Sequence, residues 1–88
     1  MEKFRVKYSK DSIVLSLSTN NQDVINAGII LQMIENMEDV YTQLSRFGIK
    51  IVIPTLNFKT SESITRLIDI INDRLSINFN AETAVDFE

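Results

Sequence analysis

The chain of 88 residues has no cysteine and no histidine, and its only glycines are Gly28 and Gly48. Without cysteine there is no disulfide framework, no thiol nucleophile and no thiolate metal site. Without histidine the commonest metal ligand and the usual general base near neutral pH are both missing. A Ser-His-Asp triad is therefore ruled out, however many serines the chain carries. Two isolated glycines cannot build a phosphate-cradling loop. Asn26 and Gln32 break the best apolar run, so nothing approaches the ~20 residues a membrane span needs. The start, Met1-Glu2-Lys3-Phe4-Arg5, lacks the apolar run of a signal peptide. A cytoplasmic protein without membrane insertion is expected, with no cofactor, no metal and no catalytic residue.

What is present suits one globular domain over residues 1–88. Hydrophobic residues make up 44% and charged residues 24%, which is enough apolar material for a single core. The net charge of −3 and a pI near 4.8 argue against a general nucleic-acid binder, whose affinity rests on neutralising phosphates.

The longest periodic stretch runs from about Asn20 to Gly48. Ala27, Ile30, Ile34, Met37, Tyr41 and Leu44 follow in steps of three and four, the spacing of one helical stripe. Asn20, Asn21 and Asp23 suit a helix start, and Gly48 suits a stop. One helix is therefore predicted across the whole stretch. Val24, Ile25, Ile29 and Leu31 add apolar surface beside the main stripe, which points to a second packed helix or to an interface with a partner or a second copy.

Residues 3–8 alternate, with Phe4, Val6 and Tyr8 on one side and Lys3, Arg5 and Lys7 on the other. That is a half-buried strand whose cationic outer face suits an edge strand or, alternatively, a binding stripe for an acidic partner. A turn at residues 9–12 and a second alternating run through Ile13, Leu15 and Leu17 predict a hairpin. Ile49–Ile53 reads as an interior strand closed by Pro54. A second helix opens near Thr60, with Ile64, Leu67, Ile68, Ile71 and Leu75 on its buried stripe. Residues 76–80 can form a fourth strand, and residues 81–88 an edge strand or a frayed acidic tail. No internal repeat is visible. The expected fold is α/β, a small mixed four-stranded sheet in β-β-α-β-α-β order, with two helices mainly on one face and the polar side of the first strand looking out from the other.

The paired acids Glu38 and Asp39, and Asp69 and Asp73, fall on predicted wet faces rather than across a cleft. Lys50 lies within the most apolar strand and is the best counter-candidate for a catalytic group, although its long stem is expected to carry the ammonium to the sheet's edge. Thr60, Ser61, Glu62 and Ser63 form a possible regulatory or anion site at a helix N-terminus. The stretch Phe58-Lys59-Thr60-Ser61-Glu62-Ser63-Ile64 resembles the STAS domain of anti-sigma-factor antagonists, where Asp-Ser-Ser-Gly-Leu opens a helix after an apolar strand. The resemblance could cover residues 3–80. Ser61 matches the serine that is phosphorylated in that family, Thr60 stands where Asp is expected, and Ser63 stands where Gly is. The resemblance implies a regulatory protein-binding domain. The expected function is a non-catalytic protein–protein interaction module acting through self-association or a protein partner. The alternative is a small acidic decoy, of viral or mobile-element type, that occupies a basic surface.

Overall fold

The computed structural model describes the backbone of residues 4–86 and the side chains of residues 4–76. Two hairpins and two helices alternate along it: β1 (Arg5–Tyr8), β2 (Ser12–Leu17), α1 (Asn21–Met33), β3 (Tyr41–Ser45), β4 (Gly48–Pro54), a short 3₁₀ turn (Thr55–Asn57) and α2 (Ser61–Asp86). The expected α/β domain with a four-stranded sheet and two helices is present. Its element order and strand directions differ from expectation. The strands lie in the order β1-β2-β4-β3, and every neighbouring pair is antiparallel. The chain is thus two successive ββα units, joined where β2 meets β4.

The long helix predicted over residues 20–48 is the source of the difference. Asn20 caps α1 by accepting from the Asp23 amide at 2.8 Å, and the Asp23 carboxylate accepts from the Ser18 amide and hydroxyl at 2.9 and 2.6 Å. The helix then ends at Met33, far short of Gly48. A turn follows, in which Asp39 adopts a φ of 59°, a left-handed conformation that aspartate tolerates. Asn57 holds this turn from outside. Its amide oxygen accepts from the Glu38 amide at 2.8 Å, and its amide nitrogen donates to the Glu38 and Pro54 carbonyls at 3.0 and 3.1 Å. Tyr41 and Thr42, aromatic and β-branched, then suit a strand better than a helix. Gly48 does use a positive φ, of 146°, but to close the β3–β4 hairpin rather than a helix. A side chain there would overlap the Leu17 carbonyl oxygen.

Because β3 turns back at once into β4, the expected right-handed crossovers between parallel strands are absent, and so is the parallel set of a mixed sheet. The fourth strand predicted at residues 76–80 is also absent. Once started, α2 continues with one backbone bond gained per residue and runs to Asp86. The edge strand considered for residues 81–88 is replaced by helix through residue 86; residues 87–88 lie outside the described residues.

Both helices cover one face. Ile13, Leu15 and Leu17 of β2 and Ile49, Ile51 and Ile53 of β4 pack beneath Ala27, Ile30 and Ile34 of the α1 region and Ile71 and Leu75 of α2. Phe4 closes the β1 side. Each fully buried side chain contributes roughly 1.5–3 kcal/mol of transfer free energy. Asn26 is the one buried polar residue among those described, and its oxygen accepts from the Gln22 side chain at 3.1 Å. Among the described residues no helix is long and apolar enough to cross a membrane.

Candidate functional site

With both helices on one side, the opposite sheet face is open. Register assigns its occupants. Lys7, Val14, Val52 and Tyr41 form one row straight across the four strands, and Arg5, Ser16, Lys50 and Gln43 form the next. Successive side chains on a strand alternate faces, so these rows stand on the side away from Leu15 and Ile51. The first row is an apolar strip, Val14 beside Val52, with an ammonium group at one end and a phenol at the other. The second is polar throughout. Lys7, Ser9, Ser12, Val14, Ser16 and Lys50 contribute to a shallow trough of about 280 Å³ that Tyr41, Gln43 and Val52 complete.

The charge on this face runs against that of the chain. The protein carries twelve acids and nine cations. Three of those cations, Arg5, Lys7 and Lys50, stand in the two rows, and no acid does. Asp11 lies in the β1–β2 turn, Glu38 and Asp39 precede β3, and Glu62, Asp69 and Asp73 lie exposed on α2. At a Debye length of about 8 Å in physiological salt, a ligand on the face meets the three near cations more strongly than the acids around the rim. The net charge that argued against a general nucleic-acid binder conceals this separation, which strand register reveals.

The other candidate residues are placed separately. Val24 and Ile25 are 52% and 44% exposed on α1, and the Gly28 position between turns is open to solvent. Ile29 and Leu31 are half-buried and pack against the core, so the four do not form one surface. At α2, Thr60 is the capping residue. Its hydroxyl accepts from the Ser63 amide at 3.2 Å and pairs with the Ser63 hydroxyl at 3.1 Å. Ser61 and Glu62 are exposed in the first turn. Ser61 also lines a shallow hollow along α2 with Glu62, Thr65, Arg66, Asp69 and Asp73. This helix start does not follow a parallel strand, since β4 is antiparallel to both neighbours and a 3₁₀ turn intervenes. Lys50 is exposed on the open face rather than sunk in an apolar strand. Among the described residues no cluster of acids gathers tightly enough to hold a metal ion.

The chain matches no family model, no curated protein and no solved structure.

Proposed function

We propose that this domain is a non-catalytic protein-interaction module whose open sheet face holds a short acidic segment of a partner protein. The observation that carries the reading is the acid-free double row with Arg5, Lys7 and Lys50 on an otherwise acidic chain. Size selects the kind of partner. Four strands at ~4.8 Å spacing make a face about 14 Å wide, and the two rows lie about 7 Å apart along the strands. A segment of about four extended residues spans that width. Asp11 and Asp39 both stand at the end of the strands where β1 turns into β2, so an anion that extends that way is repelled. Tyr41 is also the only aromatic in the rows, whereas single-stranded nucleic acids are held on several stacked rings.

Catalysis finds no support in the side-chain chemistry. The chain lacks histidine and cysteine, and Lys50 is exposed. The decoy reading is weaker, because the acids are divided among the β1–β2 turn, the turn before β3 and the hollow along α2, where Arg66 stands among Glu62, Asp69 and Asp73. A cytoplasmic setting fits a chain without cysteine. A STAS-like regulatory step belongs to the same reading: the exposed Ser61 hydroxyl in the first turn of α2 is accessible to modification.

The test is an NMR titration with a glutamate-rich peptide and, separately, a single-stranded oligonucleotide. Peptide-induced shifts are expected at Lys7, Val14, Ser16, Lys50 and Gln43, weakening with salt and vanishing in the Lys7→Glu/Lys50→Glu double variant. Shifts centred on Val24 and Ile25, or binding of the oligonucleotide in preference to the peptide, would reject the assignment.

A further inference from the structure

β1 and β3 occupy equivalent places in the two ββα units, each the outer strand of its hairpin and an edge of the sheet. Their side chains treat the edge in opposite ways. β1 carries Arg5 and Lys7, and charges on an edge strand discourage another strand from pairing. β3 is Tyr41-Thr42-Gln43-Leu44-Ser45, with no charge, no proline and all five residues exposed. The helices also stop short of it. Thr42 and Leu44 face the core side, as partners of Ile51 and Ile49, yet Leu44 is 77% exposed. An uncharged strand of high β-propensity thus presents both its backbone edge and an apolar flank.

We propose that the β3 edge pairs antiparallel with β3 of a second copy of this chain, joining two sheets into one of eight strands. Charge complementarity selects this occupant and this direction. Glu38 and Asp39 precede β3, and Arg46 follows it. With Gln43 on the twofold axis, Thr42 of one copy meets Leu44 of the other, and Val40 meets Arg46. The acids leading into each strand then lie beside the other copy's Arg46. Parallel pairing would instead set acid against acid, which is destabilising. The strand itself brings no charge to the contact, so two chains of net charge −3 can approach there. Leu44 and Thr42 from both copies extend the apolar layer across the seam. A five-residue strand pair falls well short of the ~800 Å² per partner of a tight interface, so the dimer is weak and concentration-dependent. Tyr41 and Gln43 of the open-face rows stand at this seam, but the pairing rests on the β3 backbone edge and needs no ligand on that face.

The absence of cysteine makes a direct test available. Cβ atoms of directly opposed residues lie about 4.5–5.5 Å apart, close enough for a disulfide after a small adjustment. Gln43→Cys should cross-link into a covalent dimer under mild oxidation, while Gln32→Cys, on the exposed side of α1, should not. Sedimentation of the unmodified chain should show a reversible rise from 10.1 kDa towards twice that mass with concentration. Leu44→Lys and, independently, Thr42→Lys should hold the mass at the monomer value with an unchanged amide spectrum. A chain that stays monomeric at millimolar concentration overturns the inference. So does a dimer that survives both lysine variants, or one that Ile25→Lys abolishes in their place.

Discussion

The two glycines should respond to alanine with opposite signs. At Gly48 the φ of 146° already disfavours any side chain, and an added Cβ would meet the Leu17 carbonyl oxygen. Backbone atoms held in a strand pair cannot rotate aside as a side chain can. Left-handed strain alone is worth about 1–2 kcal/mol, and relieving the overlap means parting β4 from the end of β2. A total loss of about 3 kcal/mol or more is expected, against a stability of about 4–13 kcal/mol for a chain this long. At Gly28 a Cβ meets nothing within 4 Å, and the residue lies in the middle of α1. Gly28→Ala should therefore stabilise by about 0.4–1 kcal/mol. In a thermal melt these become a fall of about 12 °C or more and a rise of about 2–8 °C. Urea titration of both variants gives the free energies directly, provided the slopes match wild type. If Gly48→Ala stays within about 1 kcal/mol of wild type, the β3–β4 turn does not close on Leu17 as described. If Gly28→Ala loses stability, something packs against the outer side of α1.

Thr60→Ala should lower stability by about 0.5–2 kcal/mol through loss of the α2 cap, whereas Ser61→Ala should leave the melt unchanged. Equal effects of the two would contradict the capping geometry. Asn57→Ala removes three side-chain hydrogen bonds and should cost about 1–3 kcal/mol, with faster hydrogen exchange at the Glu38 amide. Unchanged exchange there would show that the turn before β3 holds itself. Val24→Lys and Ile25→Lys should melt like wild type, while Ile29→Lys and Leu31→Lys should unfold at lower urea, reversing any expectation that all four are surface residues.

The strands with a clear period of two were legible: β1, β2 and β4 stand where alternation or a β-branched run placed them. The start of each helix was equally plain from Asn20 and Thr60. The middle of the chain misled because Met37, Tyr41 and Leu44 continue the three-and-four spacing of Ala27, Ile30 and Ile34 by coincidence. Gly48 compounded this, since a residue suited to positive φ ends helices and closes hairpins equally well. The deciding contact is Asn57 on Glu38, 19 positions apart, and nothing local announces it. One misplaced hairpin then propagated, turning an antiparallel sheet into a mixed one and leaving the tail of α2 to stand in for the missing strand. The candidate site was half legible. The cations of β1 showed in the sequence, but Lys50, Tyr41 and Gln43 join them only through the register of four strands.

The doubling of the ββα unit also bears on how the chain acquires its shape. Each hairpin is closed locally, one by residues 9–11 and the other by Arg46 and Phe47, and each can form on a microsecond scale without the other. The seam between them cannot. Leu15 must find Ile51 across an intervening helix and strand, and that non-local pairing also buries both residues completely. The slow step of folding is expected to be the pairing of the two hairpins along β2 and β4. Substitutions at Leu15 and Ile51 should slow the approach to the native state, while changes confined to β1 or β3 should mainly hasten the departure from it.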